Sequence, residues 1–150
     1  MSFSLSQRSI DRMKGVKPNL IKVVERAIEL TQYDFFVIQG LRTLAEQREN
    51  LKKGVSQTMK SKHLTGDAVD VGLLVDGKYD GNDCNKYAII AEAFRKASIE
   101  LSIPIRWGGC WNVLGTQHSA HEELTAYINK RRSEGRSPFL DLGHFELFYG

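Results

Sequence analysis

The chain has little that could hold it together covalently and nothing that could hold it in a bilayer. Its 150 residues include only two cysteines, Cys84 and Cys110. Two are too few for a disulfide framework, and they lack the paired C-x-x-C spacing of a thiolate zinc site, so both are expected to be ordinary thiols. No stretch approaches the roughly 18 apolar residues of a membrane span. Met1-Ser2-Phe3-Ser4 leads into polar residues rather than an apolar leader core, which predicts a cytoplasmic product without a signal peptide. Internal repeats and low-complexity linkers are missing too. Lys and Arg are dispersed, without the basic clustering or helix-turn-helix pattern of a nucleic-acid-binding domain. The net charge of +3 suits an ordinary solvated surface, or mild attraction to an anionic one such as a bacterial wall.

What is present is enough for one core. Hydrophobic residues make up 41% of the chain, and residues 1–150 read as one domain. Ser6 to Lys14 reads as a short helix stopped by Gly15. Pro18 opens a second, in which Leu20, Val23, Val24, Ala27, Ile28 and Leu30 recur at helical spacing. Phe35 to Gln39 is a buried strand. Thr43 with Glu46 forms a capping-box pattern for a helix reaching about Lys53. Val55 to Thr65 reads as a long polar loop. Ala68 to Val75 is a strand, and the Asp76-Gly77 turn lets Lys78-Tyr79 pair back on it. Asn85 to Leu101 is a strong helical pattern. Pro104 to Trp107 is a short strand before the Gly108-Gly109 turn, Ser119 to Arg132 a helix, and Gly143 to Tyr149 a closing strand. The expected fold is α+β, with a small, mainly antiparallel sheet flanked by helices.

The chemistry concentrates in two blocks. In Ser61-Lys62-His63-Leu64-Thr65-Gly66-Asp67-Ala68-Val69-Asp70, His63 and Asp70 stand seven residues apart. On a continuous helix they would be about 10 Å apart along the axis. On a straight strand the separation would exceed roughly 20 Å. Neither can serve one metal, but a bend at Gly66 can bring the two together. Asp70 then lies in an apolar strand, where a carboxylate is costly unless paired or metal-bound. The second block, Asp141-Leu142-Gly143-His144-Phe145-Glu146-Leu147, places a histidine and two acids in a similar setting. His63, Asp70 and His144 would form a two-histidine, one-carboxylate set with a fourth position open for water. Taken alone, the first pair reads as a loop histidine and a surface acid far sooner than as a metal pair. His118 and His121 share a helix face with Glu122 but read as surface residues at a helix start.

The block S-K-H-x-x-G-D-A-x-D, followed by D-x-G-H-F-E-L, resembles the zinc D-alanyl-D-alanine carboxypeptidase and L-alanyl-D-glutamate endopeptidase family, in particular its bacteriophage endolysins. The resemblance spans nearly the whole chain and includes Gln39-Gly40-Leu41-Arg42-Thr43 and Arg106-Trp107-Gly108-Gly109-Cys110-Trp111. It implies a fold of the hedgehog/D-alanyl-D-alanine peptidase type, Zn²⁺ as cofactor, and His63, Asp70 and His144 as its ligands. It puts Asp141 at the acid/base position, where the family often has Glu, and places Arg42 and Ser61 near the site. Arg42 is expected to bind substrate or stabilise an oxyanion, and Ser61 to orient a ligand or the substrate. Glu146 is expected to orient a ligand imidazole, and Trp107 or Trp111 to wall a peptide groove. The implied activity is hydrolysis of the L-alanyl-D-glutamate bond of the peptidoglycan stem peptide. The implied protein is a monomer that reaches the wall from the host cytoplasm once the membrane is opened. The alternatives are a D-alanyl-D-alanine carboxypeptidase or dipeptidase on the same site, and a non-catalytic zinc-binding module of the same fold.

Overall fold

Side-chain alternation along the strands decides the architecture. The computed structural model describes residues 2–54 and 61–149. The elements are α1 (Gln7–Arg12), α2 (Pro18–Leu30), β1 (Phe35–Gln39), α3 (Leu44–Lys52), a 3₁₀ turn (Lys62–Thr65), β2 (Ala68–Val75), β3 (Lys78–Asp80), α4 (Cys84–Leu101), β4 (Ile105–Trp107), β5 (Asn112–Val113), α5 (Ala120–Ser133) and β6 (His144–Leu147). The strands form one sheet in the order β1-β2-β6-β4-β5, with β3 folded back on the far end of β2. Every pairing is antiparallel, as expected for the α+β class.

One face of this sheet is apolar. Val37 of β1, Val69 and Val71 of β2, Ile105 and Trp107 of β4 and Phe145 of β6 are all buried. Phe94 of α4 stacks on Phe145 with ring centroids 3.7 Å apart, and tilts against Phe35 at 5.5 Å. α4 in turn packs on the apolar stripe of α2, where Leu20, Val23, Val24 and Ala27 are fully buried. Each such large side chain removed from water contributes about 1.5–3 kcal/mol, so this sandwich carries most of the folding drive.

The opposite face is polar because the registers align polar residues. Gln39 lies opposite Asp70, Asp70 opposite His144, and Glu146 opposite Arg106. Directly opposed residues share a face of the sheet, so these five side chains stand together, away from the core.

Several boundaries differ from the sequence reading. Lys62–Thr65 is a 3₁₀ turn rather than loop, nucleated by the Ser61 hydroxyl accepting from the His63 amide at 3.2 Å. Residues 55–60 of the expected loop lie outside the described ones. β5 was not read from the sequence, since a two-residue strand leaves no periodicity. α1 and β6 are shorter than expected at both ends. The Thr43–Glu46 capping box is present in both directions, at 3.1 and 3.0 Å.

Candidate metal centre

Three segments deliver the candidate chelating groups. His63 comes from the 3₁₀ turn, Asp70 from the middle of β2, and His144 from the first residue of β6. The bend between His63 and Asp70 falls at Gly66, with φ of 76°. A Cβ there would collide with the Gly15 carbonyl oxygen, so only glycine lets the turn pack against the end of α1. Gly143 plays a similar part before β6: its carbonyl accepts from the Val71 amide at 2.8 Å, and a Cβ would strike the Val71 carbonyl.

The three donor atoms form a nearly equilateral triangle. His63 Nε2 is 3.3 Å from His144 Nδ1 and 3.2 Å from Asp70 Oδ1, and His144 Nδ1 is 3.1 Å from Asp70 Oδ1. Tetrahedral bonds of about 2.0–2.1 Å put adjacent ligand atoms roughly 3.3 Å apart. The triangle therefore has the edge lengths of one face of such a tetrahedron, and all three residues line the cavity described below. Among the described residues, this is the one cluster of histidines, cysteines and acids close enough to hold an ion together.

The remaining atom of each ligand is tied down. His63 Nδ1 lies 2.8 Å from the Gly40 carbonyl, which fixes the proton on Nδ1 and leaves Nε2 as a lone-pair donor. His144 is the mirror case, with Nε2 2.8 Å from Glu146 Oε1 and Nδ1 turned to the triangle. Asp70 Oδ2 is held by Arg42 Nη2 at 3.5 Å. Burial opposes charge on His144, but the hydrogen bonds that its ring donates to the Asp70 and Glu146 carboxylates outweigh it and push the imidazole up to about 10. Burial also works against the Asp70 carboxylate, and the two histidines more than offset it, holding Asp70 well below the usual range.

Arg42 is buried rather than solvated at a helix start. Its Nε and Nη2 donate to Gln39 Oε1 at 3.0 and 2.9 Å, and its Nη1 to Gln47 Oε1 at 2.6 Å and Ser61 Oγ at 3.4 Å. Its own amide donates to the His63 carbonyl at 2.9 Å, so Arg42 braces the turn and the Asp70 carboxylate at once. Gln39 and Gln47 had no role in the sequence reading, and nothing local marks Gln47 as a buried brace on an otherwise polar helix.

Asp141 is the exposed acid of the group. Its side chain is 47% accessible, and its Oδ2 lies 3.8 Å from His144 Nδ1. Its partly enclosed surroundings, followed by the Asp70 charge, raise its carboxyl above the ordinary value. Glu146 sits behind His144, its Oε2 3.2 Å from Lys62 Nζ. Ligands and Asp141 alike line a cavity of about 890 Å³. Trp111 forms part of that wall, stacked on Phe139 at 5.7 Å and 5.5 Å from the His144 ring. Trp107 does not reach it. As alternation in β4 requires, Trp107 is fully buried in the core, where its Nε1 donates to the Leu142 carbonyl at 2.7 Å and steadies the segment before β6. His118 and His121 lie apart from the site, His121 being paired with Asn85 at 3.2 Å.

Comparison with known proteins converges on one family. The sequence model described as "Phage L-alanyl-D-glutamate peptidase" matches residues 1–148. The L-alanyl-D-glutamate peptidase of Escherichia phage T5 is 42% identical over 121 residues, which cover 79% of this chain and 88% of that one. The L-alanyl-D-glutamate peptidase of Listeria phage A118 is 32% identical over 84 residues, 53% of this chain but only 27% of the relative. Among solved structures, the Serratia marcescens L-Ala D-Glu endopeptidase ChiX superposes with a TM-score of 0.74 at 32% identity, over 99% of this chain and 92% of that one.

Proposed function

The chain belongs to the phage L-alanyl-D-glutamate peptidase family, and on that footing we propose that it is a zinc-dependent endopeptidase that opens the L-alanyl-D-glutamate bond of the peptidoglycan stem peptide during host lysis. The observation that carries the zinc reading is the triangle of His63 Nε2, Asp70 Oδ1 and His144 Nδ1, with edges of 3.1–3.3 Å, at the wall of an open cavity.

In this reading His63, Asp70 and His144 hold the ion. Zinc bound there supplies a Lewis acid that activates water and polarises the scissile carbonyl at neutral pH. Asp141, accessible and with a raised carboxyl, takes the proton of the attacking water and returns it to the departing glutamyl amine as the C–N bond breaks. Glu146 accepts from His144 Nε2 and fixes its tautomer. Arg42 has its donors committed to Gln39, Gln47, Ser61 and Asp70, so it serves as a positioning residue for Asp70 rather than as an oxyanion partner. Ser61 orients the turn that carries His63. The lysis reading places the enzyme in the host cytoplasm until the membrane is opened. No helix of the described residues is long and apolar enough to cross a membrane.

The test is digestion of purified peptidoglycan by the zinc-loaded protein, with and without chelator, followed by mass spectrometry. New N-terminal D-glutamate that disappears with chelator is expected. Released D-alanine would instead assign the carboxypeptidase activity, and full activity after exhaustive metal removal would overturn the metal reading.

A further inference from the structure

Two cavities meet at Asp70 and Asp141, and their walls differ in kind. The larger, of about 890 Å³, is basic, with Arg42, Lys62, Arg106, Arg131 and Arg136 along it. The smaller, of about 430 Å³, is lined by Ile38, Tyr79, Leu140 and Leu142 besides the two acids.

Most of the basic groups are committed. Arg42 is spent on its glutamines and Asp70. Lys62 Nζ donates to the Leu147 carbonyl at 2.7 Å and pairs with Glu146. Arg131 puts Nε and Nη2 on the Ser137 carbonyl, and Arg136, 3.7 Å from Glu134, is a solvated side chain with 59% of its surface accessible and nothing among the described residues holding it over the cavity. Arg106 is different. Its Nε is buried with no partner among the described residues, and its Nη1 stands 3.9 Å from Glu146 Oε2, too far for a hydrogen bond. Glu146 is already engaged by His144 through Oε1 and by Lys62 through Oε2. The Arg106 guanidinium is propped over the Phe148 ring at 5.2 Å, on the same sheet face as His144 and one carboxylate away from it. A held guanidinium, 34% accessible at the cavity wall and without a hydrogen bond among the described residues, is prepared to give its exposed amino groups to an incoming carboxylate.

We propose that Arg106 is a specificity-determining residue that receives the free carboxylate of the residue on the amine side of the scissile bond. The proposal rests on the peptidase reading above and extends it to the direction of the substrate. Glutamate has one amine and two carboxyls. When the amine is in the scissile bond and one carboxyl carries the peptide onward, the other remains as an anion beside the scissile nitrogen. That anion belongs in the basic cavity, while the alanyl side, which carries no charge, lies toward the smaller one, which has no basic side chain in its wall.

The experiment uses the zinc-loaded protein and two short peptides beginning with D-glutamate, the product on the amine side. They are identical except that the free glutamyl carboxylate is amidated in one. Neither contains the scissile bond, so calorimetric binding is read independently of turnover. A charge-assisted contact is expected to give the acid peptide about 10- to 100-fold tighter binding in the wild type. Arg106→Gln is expected to erase that preference with zinc stoichiometry unchanged, and Arg106→Lys to keep its direction. Equal binding of acid and amide by the wild type overturns the proposal, and so does a preference that survives in Arg106→Gln. Hydrolysis of the corresponding L-alanyl peptides is followed in parallel. If hydrolysis fails while the acid preference and its loss in Arg106→Gln persist, the peptidase reading falls and the Arg106 assignment stands.

Discussion

The two faces of the sheet are built from the same strands and do opposite work. On one, Val69, Val71, Phe145, Ile105 and Trp107 are buried against helices and hold the fold. On the other, Asp70, His144, Glu146 and Arg106 are each adjacent in sequence to one of those residues; the first three are joined through His144, Arg106 stands 3.9 Å from Glu146, and this face holds the chemistry. The difference teaches that stability and function interleave with period two, so one strand residue can be altered for chemistry while its neighbours keep the core.

That division can be broken from either side. The largest effect is expected at the ligands: His63→Ala, Asp70→Ala and His144→Ala should each lose zinc and all measurable lysis, while the core face keeps the chain folded by circular dichroism. His118→Ala and His121→Ala serve as controls and should retain both. Next comes Asp141→Asn, which should lower turnover by about 10²–10⁴ with zinc stoichiometry intact, as for loss of a general acid–base group. A zinc-free Asp141→Asn protein would instead make Asp141 a ligand. From the other face, Phe94→Ala removes the ring stacked on Phe145 and should cost about 3–5 kcal/mol in denaturant unfolding. Turnover per folded molecule should stay near wild type, and a matching collapse of turnover would show that the faces are not separable.

Glu146→Gln is milder, expected to weaken zinc affinity about 10–100-fold by releasing the His144 imidazole. The smallest effect is a pH dependence. His144 is pushed up to about 10, so below that pH the metal-free chain holds a proton that zinc must displace. Zinc affinity should therefore fall as pH falls, with proton release seen as a buffer-dependent heat in calorimetry. Because the folded value is raised, the stability this proton contributes is present below the ordinary histidine value and lost as pH rises through about 10. The metal-free chain should thus lose stability on the alkaline side while the zinc form does not, which a melting series over pH checks.

Much of this was legible in the sequence where the cause is local. The apolar period of α2, the Thr43–Glu46 cap and the alternation around Asp70 depend on residues within a few positions of each other. His63, Asp70 and His144 stand out as candidate ligands from two short blocks and a family resemblance, and the fold brings their donor atoms within 3.1–3.3 Å of one another. What escaped depends on distant partners. Gln47 braces Arg42 only once α3 has packed, and Arg106 meets Glu146 through a strand pairing that spans 40 residues. The two tryptophans of the Arg106–Trp111 block were indistinguishable, since only the strand's alternation decides that Trp107 enters the core and Trp111, beyond the turn, reaches the cavity.

Asp70 and His144 are cross-strand neighbours in the interior of the sheet, not residues on loops. The interior strand that carries Asp70 therefore belongs to the part of a protein that opens last, and hydrogen exchange of its ladder amides is expected to proceed only through global unfolding. His63, on its 3₁₀ turn, is the one member of the three candidate ligands outside the sheet, so heat inactivation is expected to begin with local opening of that turn, and the activity–temperature curve should fall ahead of the melting curve of the sheet.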